Sequence, residues 1–300
     1  MKKFIPVMVL ICLLIGCGSK PKVVDTPPIV DTPAPVVQED TGPKTAEDFF
    51  ERGYVNVENG NFDEGISDYS EAINLKPDYA AAYNNRGVAY AGKEDYDSAI
   101  ADYNRAIENY ANDSYAYNNR GLAYFSKGDL DKAIADYTEA IRIKPDYAAA
   151  YNNRGLAYTE KGDYDKAITD YTAAIRLTPD YVKAFNNRGL AYRYKGDYDR
   201  AIADYTEAIR LEPNNSETYT NRGAAYRNKG DPDKAIADHT EAIRLDPNNV
   251  KAYNNRGVAY TGKKDYKNAI SDYETVLELD SENAIARENL DIARRLQQGL

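Results

Sequence analysis

Few residues of this sequence carry the side chains that metal sites and most hydrolytic enzymes need. The 300 residues include one histidine, His239, and two cysteines, Cys12 and Cys17. A zinc site built on His and Cys requires three or four such ligands, and a Ser-His-Asp or Cys-His mechanism would have to use His239. No second histidine exists to build a site around it. We therefore predict that His239 is a core ring rather than a ligand or general base, and we expect no metal site and no cofactor.

The charge balance argues against one class of partner. The chain has 38 Lys and Arg against 48 Asp and Glu, a formal net charge of -10. An acidic protein repels the phosphate backbone of nucleic acids. We expect no nucleic-acid partner.

Arginine and aspartate recur together, always sixteen residues apart. The arginines are Arg52, Arg86, Arg120, Arg154, Arg188, Arg222 and Arg256, and the aspartates are Asp68, Asp102, Asp136, Asp170, Asp204, Asp238 and Asp272. An arginine and an aspartate on neighbouring helices can form a bidentate pair. The arginines could instead bind anionic ligands, but a half-buried guanidinium needs a partner. We therefore predict structural ion pairs.

One sequence segment repeats every 34 residues. The segment Tyr83–Tyr90 returns, with few changes, five more times at that spacing. The repeats span residues 46–79, 80–113, 114–147, 148–181, 182–215, 216–249 and 250–283. No single repeat can bury its apolar faces alone, so the stacking of neighbours must build the core.

Each repeat is predicted to form two helices. In the fourth repeat, Tyr151, Gly155 and Tyr158 have the i, i+4, i+7 spacing of one helix face. Gly162 then ends this helix, and Asp165 is predicted to cap the second one.

Residues 284–300 are predicted to form a capping helix and tail. Arg287, Asp291 and Arg294 stand there where the repeats have Tyr, Gly and Tyr. Because no further repeat covers that face, we expect it to be polar.

The repeat pairs an aromatic, a glycine and an aromatic in its first helix with two alanines and an aromatic in its second, followed by proline. This pattern closely resembles the tetratricopeptide repeat (TPR) family, over residues 46–300, with Arg in place of the usual Leu before the glycine. The resemblance implies an all-α fold: a right-handed α-solenoid of seven 34-residue helix-turn-helix TPR units plus a C-terminal capping helix. Repeats and cap leave no room for a catalytic domain, so we predict that the protein is not an enzyme.

Pairs of adjacent asparagines recur in the first helices. The middling helix propensity of asparagine does not explain why they recur there. The TPR resemblance implies that these positions line a concave groove and that the second Asn of each pair binds the backbone of a peptide, as an amide donor and acceptor can. Variable neighbouring positions add cations and one tyrosine, which predicts an acidic or C-terminal segment as ligand. The predicted peptide-binding residues are Asn85, Asn119, Asn153, Asn187, Asn221, Asn255, Lys183, Arg193, Tyr194, Arg227 and Lys251. The alternatives are repeat duplication without selection for binding, and cations that only offset nearby acids.

The N-terminus has the features of an export signal. Lys2 and Lys3 precede the apolar residues 4–16, which as a helix would span roughly 20 Å and would not cross a bilayer. The end of this segment, residues 14–17, resembles the lipobox of bacterial lipoproteins, which implies acylation (palmitate-type chains) of Cys17. We predict a signal peptide over 1–16, then lipidated Cys17 and a proline-rich linker over 17–45. The alternative is an ordinary signal peptide with an incidental cysteine.

These expectations combine into a TPR lipoprotein that acts as a non-enzymatic scaffold. It would be exported, bound to the membrane through lipid on Cys17, and hold partner proteins or peptides in its groove. Gly18 follows the cysteine, which by the same resemblance implies the outer membrane of the cell envelope. The alternatives are an assembly factor for an outer-membrane machine, an activator of cell-wall enzymes and, in a different class, an enzyme.

Overall fold

The structure is a computed structural model that describes residues 45–299. The predicted signal peptide, Cys17 and nearly all of the predicted linker lie outside the described residues.

The described residues form fifteen α-helices and no strand, in two compact units that meet in sequence between Asp163 and Tyr164. The first unit contains α1 Ala46–Glu58, α2 Phe62–Leu75, α3 Ala80–Gly92, α4 Tyr96–Asn109, α5 Ser114–Ser126, α6 Leu130–Ile143 and α7 Ala148–Glu160. The second unit contains α8 Tyr164–Leu177, α9 Val182–Tyr194, α10 Tyr198–Leu211, α11 Ser216–Lys229, α12 Pro232–Leu245, α13 Val250–Gly262, α14 Tyr266–Leu279 and α15 Ala284–Gln298. Within each unit, every helix packs against the next one along the chain. The predicted all-α fold of helix-turn-helix repeats is confirmed.

Close approach between the two helices of a repeat builds the core. Tyr137 of α6 is fully buried and lies against Gly121 of α5. A Cβ placed on Gly121 would lie 2.7 Å from Cε1 of this ring, so the glycine leaves the space that the tyrosine fills. The same tyrosine position is buried in the other described repeats, except where His239 replaces it. The high tyrosine content of the chain therefore serves packing.

After the first repeat, where Asn61 precedes α2, an aspartate precedes each second helix, two residues before the position that was predicted to cap it. Oδ1 of Asp95 accepts from the backbone N–H of Ser98 at 3.1 Å, and Oδ1 of Asp197 accepts from that of Arg200 at 3.1 Å. The prediction that Asp165 caps α8 is wrong. This residue lies inside the first turn of α8, where its carboxylate pairs with Lys195 of the next repeat.

Six of the seven predicted arginine–aspartate pairs are confirmed, and they do more than join two helices. Arg120 donates from Nε and Nη2 to the two carboxylate oxygens of Asp136, at 2.8 and 2.7 Å. Its Nη1 donates to Oδ1 of Asn104, in the preceding repeat, at 2.6 Å. One guanidinium thus connects α4, α5 and α6. Equivalent ion pairs are formed by Arg52–Asp68, Arg86–Asp102, Arg188–Asp204, Arg222–Asp238 and Arg256–Asp272.

The last helix, α15, caps the second unit by packing against α14. Leu290 is buried in this contact. Arg287, Asp291 and Arg294 are exposed, so the face that was predicted to be polar is polar. Ile285, Ile292 and Leu296, which are 62%, 41% and 41% exposed, lie on another face of the same helix, at i, i+7, i+11 spacing.

None of the helices within residues 45–299 is long and apolar enough to cross a membrane.

Candidate peptide-binding site

Helices α9, α11 and α13 of the second unit line an open cavity of about 250 Å³. They are the first helices of the fifth, sixth and seventh repeats. The lining residues are Arg193, Glu217, Thr220, Asn221, Ala224, Arg227, Asn249, Lys251, Asn254 and Asn255.

A small residue of the sixth repeat lines the cavity where the neighbouring repeats have larger ones. Ala224 occupies the position that holds Leu156 and Leu190 in the two preceding repeats and Val258 in the following one. Its methyl group fills less space than those side chains, and we infer that it helps to keep the cavity open. The other lining groups of α11 follow at helical spacing, so that they share one face.

Two helix ends position the walls of the cavity. Asn249 caps α13 by accepting from the backbone N–H of Ala252 at 2.9 Å. Its Nδ2 donates to Oγ of Ser216 at 2.8 Å and to Oγ1 of Thr220 at 3.1 Å. This amide therefore fixes the start of α13 against the first turn of α11. The polar groups of Asn249 and Thr220 are consumed by this contact and are not available to a ligand.

The cavity is elongated and its two ends differ in charge. From Glu217 to Arg227, the lining face of α11 extends about 15 Å at 1.5 Å per residue. Glu217 and Lys251 lie near the N-terminal ends of their helices, whereas Arg193 and Arg227 lie in the last turns of theirs. Amides of α11 and α13 occupy the middle. Such an arrangement can hold an extended chain whose anionic group lies at the arginine end.

The arginine end has no internal counter-ion. Within residues 45–299, neither Arg193 nor Arg227 forms an ion pair with a carboxylate. Nε of Arg193 is buried without a hydrogen-bond partner. Burial, together with the charge of Arg193, lowers the pKa of Arg227. The two guanidinium groups therefore repel each other across a site that an anion would stabilise.

The opposite end carries the one carboxylate of the cavity. Desolvation by the surrounding walls raises the pKa of Glu217 to about 7, although Lys251 acts to lower it. The side chain still faces the open cavity and is reached by solvent. Because the side chain is exposed, solvent opposes this rise in pKa, and the carboxylate stays beside Lys251 at this end of the cavity.

The cavity brings together five of the predicted peptide-binding residues: Arg193, Asn221, Arg227, Lys251 and Asn255. Lys183, Asn187 and Tyr194 lie on α9 but do not line it. The ring of Tyr194 stacks on Tyr164 with centroids 5.3 Å apart.

Sequence reasoning missed Glu217, Thr220, Ala224 and Asn249 as lining residues. Asn254 is the first Asn of its pair, and both members of each pair were expected on the groove. The repeat alignment could have pointed to two of the missed residues. Glu217 stands in the repeat position of Lys183 and Lys251, and Ala224 is the small residue in a column of leucine and valine.

The predicted binding amides of the first unit are instead buried. Asn85, Asn119 and Asn153 are 1%, 3% and 1% exposed. Nδ2 of Asn119 donates to Oδ1 of Asn84 at 3.1 Å, and Nδ2 of Asn153 donates to Oδ1 of Asn118 at 3.0 Å. Asn119 and Asn153 thus pair with the preceding repeat, and Asn85 accepts from the adjacent Asn84. Asn221 and Asn255 of the second unit instead line the cavity. A role of the first-unit amides in binding stays a prediction.

His239 is fully buried and takes the place of a core tyrosine. A Cβ on Gly223 would lie 2.6 Å from its Cε1, the same close approach that the tyrosines make. Burial, assisted by the charges of Arg227 and Arg256, lowers the pKa of His239 to about 3. The prediction of a core ring is confirmed. No cluster of three metal-binding side chains exists in the described part of the chain.

Comparison with known sequence families agrees with the repeat register. Tetratricopeptide repeat profiles match residues 50–114, 102–135, 121–162, 155–193, 182–215, 216–249 and 250–283. The comparison with curated proteins gave no match.

Solved structures of similar fold are numerous. A tetratricopeptide repeat protein from Parabacteroides merdae is 20% identical with a TM-score of 0.64, over 83% of this chain and 98% of that one. The C-terminal part of a TPR protein from Cytophaga hutchinsonii is 25% identical with a TM-score of 0.62, over 80% and 99%. YrrB, described as a TPR protein with an unusual peptide-binding site, is 24% identical with a TM-score of 0.52, over 62% and 96%. With profile matches spanning residues 50–283, the chain belongs to the tetratricopeptide repeat family.

Proposed function

We propose that this protein is a non-enzymatic scaffold that binds an extended acidic segment of a partner protein in the cavity between α9, α11 and α13. The observation that carries the proposal is the pair Arg193 and Arg227, which share the cavity without a carboxylate partner. The TPR fold typically serves protein–protein interaction, and the similarity to a peptide-binding TPR protein supports the same use of the groove.

The dimensions of the cavity fit a short peptide. An extended chain rises about 3.3 Å per residue, so the lining face of α11 accommodates four or five residues. Asn221 and Asn255 present amides that both donate and accept, as an extended backbone requires. An acidic side chain or a C-terminal carboxylate of the peptide would lie at Arg193 and Arg227. Lys183, Asn187 and Tyr194 would contact a ligand that continues over α9.

The cellular setting is part of the proposal and depends on the N-terminal sequence. Cys17 would be lipidated after removal of residues 1–16, and the proline-rich linker would hold the repeats away from the bilayer. Gly18 supports the outer membrane of the bacterial envelope. Within this setting, an assembly factor for an outer-membrane machine and an activator of cell-wall enzymes are both compatible with a scaffold.

Charge reversal with a matched control tests the site. Partners are captured from envelope extracts with wild type, with the double variant Arg193→Glu and Arg227→Glu, and with a control double variant, Arg210→Glu and Arg244→Glu. The control arginines lie exposed on the second helices of the same repeats, outside the cavity.

Both double variants change the net charge equally. We expect capture to be lost only in the cavity variant, with helical content and melting unchanged. Capture that survives the cavity variant, or that is lost instead on Phe125→Ala in the first unit, would place the binding site elsewhere.

A further inference from the structure

We propose that the arginine end of the cavity, formed by Arg193 and Arg227, is a binding site for a phosphate monoester dianion. This inference goes beyond the peptide scaffold and does not depend on it, because the phosphate group needs only the two arginines. It would compete for them with the acidic group of a bound peptide.

The two arginines differ from the other first-helix arginines of the second unit. Arg188, Arg222 and Arg256 each donate two hydrogen bonds to an aspartate, at 2.7–2.9 Å. Arg193 and Arg227 are displaced by five residues along the same helices and face the cavity. For Arg227 the structure gives one hydrogen bond, to Oδ1 of the adjacent Asn228 at 3.5 Å, which is at the limit of a real bond.

Internal groups compensate the two charges only in part. Both arginines lie in the last turn of a helix, where the helix dipole favours a cation. The ring of Tyr194 lies 5.5 Å from the guanidinium carbon of Arg193, a cation–π contact. The hydroxyl of Tyr205 also interacts with Arg193. None of these groups supplies a full negative charge. Two cations and an unbonded Nε therefore remain at one end of the cavity.

A dianion matches this end better than a single carboxylate does. A bound carboxylate would neutralise one of the two guanidinium charges, whereas a phosphate monoester carries up to two charges near pH 7 and neutralises both. Its three terminal oxygens can accept from two guanidinium forks at once, and arginine binds phosphate bidentately. The carboxylate of the cavity, Glu217, stands at the other end beside Lys251 and does not compete.

The cavity also has room for more than the phosphate group. Its volume of about 250 Å³ equals roughly eight waters at ~30 Å³ each. The polar amides of Asn221, Asn254 and Asn255 line the space next to the arginines, and they suit a small hydroxylated ester group. The phosphate monoester could belong to a soluble ester or to a lipid headgroup, and the chemistry recognised is the same.

Titration of the full-length protein tests the inference directly. The Cys17→Ser variant, which cannot be lipidated, is titrated in a calorimeter at low ionic strength with inorganic phosphate, glycerol 3-phosphate and acetate. We expect both phosphates to bind at least tenfold more tightly than acetate. Arg193→Gln and Arg227→Gln should each weaken phosphate binding at least tenfold, whereas Arg210→Gln and Arg244→Gln should leave it unchanged. Arg227→Lys, which keeps the charge but loses the fork, should give an intermediate loss.

Vesicles of phosphatidylcholine with phosphatidic acid or with phosphatidylserine distinguish the sources. Binding to phosphatidic acid vesicles that glycerol 3-phosphate displaces would identify a headgroup, and binding of glycerol 3-phosphate without binding to vesicles would identify a soluble ester. Equal affinity for acetate and phosphate, or wild-type phosphate binding by both glutamine variants, would overturn the inference. Circular dichroism of each variant shows that a loss of binding is not a loss of fold. Because no partner protein is present, failure of partner capture would leave this result standing.

Discussion

Asn119 donates its side-chain Nδ2 to the Oδ1 of Asn84, one repeat earlier, across 3.1 Å. Both side chains are buried, with exposures of 3% and 5%. A hydrogen bond between two buried amides leaves little for water or ligand to reach, and it joins the first helices of adjacent repeats. In the first unit the asparagine columns therefore hold the stack together, while in the second unit Asn221 and Asn255 line an open cavity.

This difference predicts effects of different size on stability for two chemically identical substitutions. Asn119→Ala should lower the free energy of unfolding by about 1–3 kcal/mol, because it leaves the buried Oδ1 of Asn84 without its donor. Asn255→Ala, at the equivalent repeat position in the cavity, should change it by less than about 0.5 kcal/mol. Urea unfolding followed by circular dichroism compares the two. Equal losses would show that the column has one structural role throughout.

The 34-residue period predicted the helices because packing requires the same small and aromatic residues in every repeat. The arginine–aspartate pairs were predictable for the same reason, since a repeated half-buried cation needs a repeated partner. The asparagine columns were not, because Asn85 and Asn255 have the same neighbours in sequence. The surroundings of such an amide depend on side chains of the adjacent repeats: Asn119 pairs with Asn84 of the preceding repeat, whereas Asn255 lines the cavity together with Ala224.

Removing one partner of a buried ion pair should destabilise the first unit. Asp136 is 7% exposed and Arg120 19% exposed at the side chain. Asp136→Asn leaves the guanidinium without its counter-ion, and we expect a loss of about 2–4 kcal/mol, reduced somewhat because the arginine is partly solvated. The control is Asp131→Asn, whose carboxylate is 84% exposed in its pair with Lys161. That variant should lose less than about 1 kcal/mol, as measured by urea unfolding. A loss as small for Asp136→Asn would mean that the pair does not support the fold.

The buried histidine should make the second unit sensitive to acid. The pKa of His239 is lowered to about 3 by burial, from 6.5. Below 6.5 the unfolded chain binds a proton that the folded protein does not, so stability is complete above 6.5 and falls as the pH drops towards 3. The slope is at most about 1.4 kcal/mol per pH unit. His239→Tyr restores the ring found in the other repeats and should remove this dependence of stability on pH. Melting at pH 7 and pH 5.5 compares the two proteins, and identical pH dependence would contradict the assignment.

Lipidation of Cys17 predicts a specific change in mass and partitioning. The wild-type protein, expressed in a Gram-negative host, should be found in the membrane fraction. Its intact mass should include acyl chains on a new N-terminal cysteine. Cys17→Ser should lose both, whereas Cys12→Ser, within the predicted signal, should keep both. A Cys17→Ser protein that still carries lipid would show that the lipobox interpretation is wrong.

The central claim is that the partner binds in the cavity that Ala224 leaves open, and filling that cavity tests it most directly. Ala224→Leu introduces the residue found at the same position in the fourth and fifth repeats, Leu156 and Leu190, so the fold should tolerate it without a change in charge. Val258→Leu introduces the same residue at the equivalent position of the next repeat, as a smaller enlargement, and that position does not line the cavity. We expect capture of the envelope partner to fall at least tenfold for Ala224→Leu and to stay near wild type for Val258→Leu, with both variants folded. Full capture by folded Ala224→Leu would contradict the claim.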